Sequence, residues 1–226
     1  MIRDWYVGLG DSITYGYSAS HPSRSFVGLL DRYLKTKNIC QNTVVIAKNG
    51  WTARQLYTAV SNIPPHVWTR THVVTLMIGG NDLRRTYYAV VGHPHPQQVV
   101  QHAAAEFAFF LERICLLLEK QDIPYVLMST MYNPLPNTPL AAYSIGQINQ
   151  VIRARAQLSK FRLVDAHNAF LGQEAAMVFN YRTGRMEDLS IPFGRPIHPN
   201  DRGHHTIAEL FQRELDLSRR DDALLQ

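Results

Sequence analysis

Val7-Gly8-Leu9-Gly10-Asp11-Ser12-Ile13-Thr14-Tyr15-Gly16 is the stretch on which the reading of this sequence turns. Trp5 to Leu9, which leads into it, is an apolar run rich in aromatic and β-branched side chains, the pattern of a buried strand. Gly10 and Asp11 break that strand, because glycine tolerates backbone angles that larger residues resist. Ser12 therefore falls just past the carboxyl end of a first strand. In an open α/β sheet that is the edge where ligands bind. A serine there becomes a nucleophile only if a base and a site for negative charge come from elsewhere in the chain.

Working outward, the same construction recurs. A polar loop over 15–23 precedes a helix over 25–37, with Phe26, Leu29, Leu30, Tyr33 and Leu34 at helical spacing and Ser23 or Ser25 as its cap. A second strand over 44–47 ends at Asn49-Gly50, and a helix over 53–62 stops at Pro64-Pro65. A third strand over 73–78 ends at Gly79-Gly80-Asn81-Asp82, followed by a polar, proline-bearing loop and the longest helix, 97–120. A strand over 125–130, a helix over 140–158 and a short strand over 162–165 come next. Residues 166–197 read as irregular, and a last helix runs over 201–217. Strands alternating with helices predict βαβ units and right-handed crossovers. The expected fold is a three-layer α/β/α domain, flavodoxin-like, with a mainly parallel sheet of about five strands. With no repeat or linker in the sequence, residues 1–226 are expected to form one domain.

Composition narrows the function classes. Hydrophobic residues make up 46% and charged residues 18% of the 226, which excludes a disordered or fibrous chain. The net charge of +5 invites a nucleic-acid reading, but only Arg84-Arg85 and Arg219-Arg220 adjoin, and no nucleic-acid-binding signature accompanies them. No nucleic-acid partner is expected. Cys40 and Cys115 lack metal-ligand spacing and read as buried thiols. His204 and His205 are adjacent and diverge on a helix, while His93-Pro94-His95 has no third ligand nearby, so no metal is expected. No apolar run reaches the ~20 residues that cross a bilayer, and no charged-then-apolar leader opens the sequence. A cytoplasmic location is the expectation.

Three early strands thus end in small residues and a polar group: Ser12, Asn49-Gly50 and Gly80-Asn81-Asp82. Parallel strands bring these ends to one side of the sheet. His198-Pro199-Asn200-Asp201-Arg202-Gly203-His204, before the last helix, can fold over the same edge. Gly10-Asp11-Ser12, Gly50, Gly79-Gly80-Asn81-Asp82 and His198-Pro199 together resemble the four ordered sequence blocks of the GDSL (SGNH) hydrolases, over roughly Trp5 to Leu215. The resemblance implies a serine esterase or lipase that needs no metal or cofactor and acts on a small-molecule ester. It implies Ser12 as nucleophile and His198 as general base. It also implies the Ser12 and Gly50 N–H groups and the Asn81 amide as oxyanion donors. No Gly-x-Ser-x-Gly elbow occurs, so this is not the α/β-hydrolase arrangement. Short-chain acyl or acetyl esters are the expected substrates. Lysophospholipids, acyl thioesters or a non-catalytic ligand on the same fold are the alternatives. Tyr15, Tyr17, Tyr87 and Tyr88 are candidates to line the pocket.

One position departs from the pattern. The family usually carries an aspartate three residues before the histidine, and here that residue is Arg195. A guanidinium has no acceptor for the imidazole N–H and would oppose its positive charge. A backbone carbonyl, or Glu187, Asp188 or Asp201, could orient His198 instead, or turnover could be impaired.

Overall fold

In the computed structural model, which describes residues 3–90, 92–159 and 161–224, strands and helices alternate along the chain. The order is β1 (Trp5–Gly10), α1 (Ser12–Tyr15), α2 (Phe26–Thr36), β2 (Asn42–Ala47), α3 (Ala53–Ser61), α4 (Pro65–Arg70), β3 (Thr71–Met77) and α5 (Gly80–Val90). It continues with α6 (Pro96–Glu119), β4 (Tyr125–Ser129), α7 (Pro139–Ser159), β5 (Arg162–Val164), α8 (Ala166–Phe170), α9 (Glu174–Met177) and α10 (Asp201–Leu224). The five strands form one parallel sheet in the order β2-β1-β3-β4-β5. β1 lies between β2 and β3, so the chain winds one way from β1 to β2 and the other way from β3 onward. That reversal opens a crevice at the carboxyl ends of β1 and β3. Gly10 pairs with Ala47 on one side and Met77 on the other, which puts all three strand ends at one level.

Each face of the sheet is covered by a helical layer. α3, α5, α6 and α7 pack against one another on one side, and α2 and α10 on the other. Tyr6, Val7, Leu9, Val74, Leu76 and Met77 are buried completely, as expected for strands covered on both faces. Phe26 of α2 stacks on Phe211 of α10 with ring centroids 5.5 Å apart, which fixes the second layer. Ser25 caps α2 by accepting from the Gly28 N–H, a contact worth about 1 kcal/mol.

Several boundaries differ from those read in the sequence. A one-turn helix, Ser12–Tyr15, stands between β1 and the polar loop that follows it. Residues 80–90, expected as loop, are helix α5, so Asn81 and Asp82 stand in its first turn. α4 begins at Pro65, the proline expected only to stop the preceding helix; proline is well suited to a first helical position. α8, α9 and a short 3-10 turn, Met186–Ser190, occupy part of the stretch expected to be irregular. α10 continues seven residues past its expected end, to Leu224. Beyond Leu217 it is held by polar contacts to the sheet, Tyr125 Oη to Asp222 at 2.8 Å and Arg162 to Asp221 at 3.0 Å.

Candidate active site

Ser12 is the first residue of α1, directly beyond β1, and is 4% exposed. Its backbone N–H is one of those that a helix start leaves without a helical acceptor. The turn needs glycine before it: a Cβ on Gly10 would collide with the Thr14 side chain and the Met77 carbonyl. Asp11 caps α1, its Oδ1 accepting the Ile13 N–H at 3.0 Å. Enclosure pushes the Asp11 carboxyl up to about 7, against the lowering effect of the Ile13, Asp11 and Asn81 donors.

The amide of Asn81 is oriented from both ends. Arg84 Nε donates to its Oδ1 at 3.0 Å, while its Nδ2 donates to the Trp51 carbonyl at 3.1 Å and leans on Asp11 Oδ2 at 3.4 Å. With a donor at one end and acceptors at the other, the amide has one satisfactory orientation. Asp82, one residue on, accepts the Ala53 N–H and so caps α3. Burial raises its carboxyl to about 7. Gly50 adopts φ of +82°, the left-handed region that favours glycine, and its carbonyl accepts from Arg85 at 3.4 Å. A Cβ there would meet no protein atom within 4 Å, so the backbone angle, and not a close approach within the protein, is what requires glycine.

His198 arrives from the other end of the sequence. Its Nε2 lies 2.9 Å from Ser12 Oγ, across 186 positions of chain. The surrounding backbone is pinned: Phe179 N–H donates to the His198 carbonyl, Asn200 N–H to the Met177 carbonyl, and Tyr132 Oη to the Ile197 carbonyl. The ring packs on Tyr17, centroid to centroid 4.4 Å. Burial first, then the positive charges of His204 and Arg84, lowers the His198 imidazole to about 4. At neutral pH it is an uncharged base.

The carboxylates considered for orienting His198 are committed elsewhere or point to solvent. Asp201 takes Ser20 and Arg24, Asp188 takes Thr183 and the Gly184 N–H, and Glu187 is exposed. Arg195 donates to the Ile191 carbonyl and holds its own loop. Among the described residues, no carboxylate hydrogen-bonds His198.

Ser12, Asn81 and His198 line one cavity of about 130 Å³, and Gly50 does not line it. Tyr87 is in its wall. Tyr17 meets His198 instead, Tyr15 is 65% exposed outside the lining, and the side chain of Tyr88 lies outside the described residues.

A family model, the GDSL-like lipase/acylhydrolase family, matches residues 9–206. The chain belongs to that family. It is therefore a serine ester hydrolase of the carboxylic ester class. No curated protein sequence matches the chain. Among solved structures, this family member resembles the lipase Lip_vut3 from a goat rumen metagenome at 22% identity, with 93% of this chain and 97% of that one covered and a TM-score of 0.73. It resembles Axe2, an acetylxylan esterase from Geobacillus stearothermophilus, at 19% identity, 94% coverage of each chain and a TM-score of 0.66. A lipolytic G-D-S-L protein from Veillonella parvula matches at 17% identity, with 92% and 96% covered and a TM-score of 0.63. At such identities the likeness establishes the shared fold.

Two contributions went unread in the sequence. Arg84 reaches Asn81 because the two are three residues apart on a helix, a spacing that shows only once α5 is recognised. The Trp51 carbonyl carries no side-chain signature at all.

Proposed function

We propose that this GDSL hydrolase cleaves its ester through an acyl-enzyme on Ser12. Ser12 Oγ attacks the carbonyl carbon while its proton passes to His198 Nε2. The tetrahedral intermediate then collapses, the bond to the alcohol oxygen breaks, and His198 returns the proton to the departing alcohol. Water repeats the sequence and releases the acid. The observation that carries this reading is the 2.9 Å contact between Ser12 Oγ and a half-buried, uncharged His198 in the cavity wall.

Charge on the carbonyl oxygen falls to the Ser12 N–H and Asn81 Nδ2, with the Gly50 N–H as a third donor from the neighbouring loop. The 3.4 Å contact between Asn81 Nδ2 and Asp11 is the weaker of that amide's two, and it is the one a developing oxyanion would replace. Asp11 favours this exchange when it is protonated. His198 is oriented by packing on Tyr17 and by its pinned backbone, without a carboxylate.

The test is hydrolysis of p-nitrophenyl esters by the wild type and by Ser12→Ala, together with labelling by a fluorophosphonate. Turnover lost by more than about 10³-fold in the variant, and probe attached at Ser12 alone, is the expected result. A folded Ser12→Ala protein that keeps the wild-type rate would overturn the assignment.

A further inference from the structure

The cavity at Ser12 differs from a sugar-binding cleft in where its polar groups spend their hydrogen bonds. Its wall is largely hydrocarbon, from Ile13, Leu83, Val90, Val100, Leu135 and Ile145. Three hydroxyls in the lining donate to backbone carbonyls of the protein itself. Thr86 Oγ1 donates to the Leu83 carbonyl, Ser144 Oγ to the Leu140 carbonyl and Tyr132 Oη to the Ile197 carbonyl, each at 2.7 Å. Asn133 turns its Oδ1 to the Leu135 N–H at 3.0 Å. A ring hydroxyl set against the Ile13, Val90, Val100 and Ile145 side of this space would give up water without a partner there, which is costly. A methylene chain would gain from the same move.

Two halves of an ester could fill such a cavity. The alcohol must leave between the two chemical steps, and water must then reach the acyl-enzyme beside His198. An apolar recess therefore suits the half that remains attached to Ser12 through both steps. Its size sets the length: an apolar cavity of about 150 Å³ accepts benzene, so 130 Å³ holds roughly five or six carbons.

Building on the Ser12 reading, we infer that the cavity is the acyl-chain site and that the preferred substrate carries a straight acyl chain of about six carbons, from roughly butanoyl to octanoyl. Acetyl esters leave the recess unfilled and are poor substrates. Within the short-acyl expectation from the sequence, the cavity favours chains longer than acetyl. The alcohol is not selected by length.

Two ester series separate the possibilities. In one, the acyl group of p-nitrophenyl esters runs from acetate to decanoate. In the other, the alcohol of alkyl acetates runs from ethyl to octyl. The expected result is a kcat/KM that rises about fourfold per methylene from acetate to about hexanoate and then levels or falls, with a flat alcohol series. Ala141→Phe, which adds bulk at a half-exposed wall position of α7, is expected to lower the hexanoate-to-acetate ratio at least about tenfold. Leu135→Ala is expected to move the optimum to longer chains. Acetate turned over as well as hexanoate, a length dependence carried by the alcohol, or an unchanged ratio in folded Ala141→Phe would each overturn the inference. Failure of the underlying reading looks different: no member of either series is hydrolysed, or Ser12→Ala is as active as the wild type.

Discussion

The two halves of the site are held in different ways. Around Ser12 and Asn81, side chains hold side chains and strand ends. Asp11 caps the turn, Arg84 and Trp51 fix the amide, and the site lies where β1 and β3 diverge. Around His198, hydrogen bonds hold the backbone, while the ring depends on Ser12 and the face of Tyr17. The Ser12 side is thus organised by polar contacts and the His198 side by packing. A serine–histidine pair can be placed accurately without a third charged member, provided that the loop carrying the histidine is itself rigid. What such a pair gives up is electrostatic support for the imidazolium formed during the reaction.

Breaking the polar half should have the larger effect. Asn81→Ala is expected to lower kcat by about 10² to 10³-fold with a smaller change in KM, as measured by steady-state hydrolysis of the best ester. The base half should reveal itself in pH dependence. Because burial lowers His198 to about 4, its base form persists in mild acid. The acid limb of kcat/KM should therefore fall near pH 4, not near 6.5, about tenfold per pH unit below it, while circular dichroism shows the fold retained. Tyr17→Ala should have the smallest effect on rate, a several-fold loss in kcat. It should also move the acid limb upward, since opening the ring to water relieves the burial that lowers it. An acid limb that stays in place in Tyr17→Ala would show that other groups enclose the imidazole.

The contrast between the halves also explains what could be read from the sequence. The central strands β1, β3 and β4 read clearly because a strand covered on both faces is apolar over most of its length; β1 closes on a glycine, and β2 and β3 are each followed by one within three residues. That Ser12, Asn81 and His198 would meet at one cavity was legible because each adjoins such a closure or the start of the final helix. Helix α5 was not, since Gly79-Gly80 and the paired Arg84-Arg85 obscure a thin apolar spacing of Leu83, Tyr87 and Val90. The end of α10 was missed for a similar reason: polar contacts to β4 and β5 sustain it, and these leave no hydrophobic period. Nor could the sequence show what orients His198. The answer lies in backbone hydrogen bonds and one ring contact, neither of which depends on a residue type at fixed spacing.

The 186 positions between Ser12 and His198 have a consequence for how the protein is made. On a ribosome adding about 5 to 20 residues per second, Ser12 emerges roughly ten to forty seconds before His198. During that interval Ser12 lacks the imidazole it meets in the folded protein, and Phe26 lacks the Phe211 ring that covers it. The stretch that brings His198 is followed directly by α10, which supplies that cover. The Ser12–His198 contact and closure of the second helical layer therefore come in one late step, and on the proposed mechanism an unfinished chain has no esterase activity.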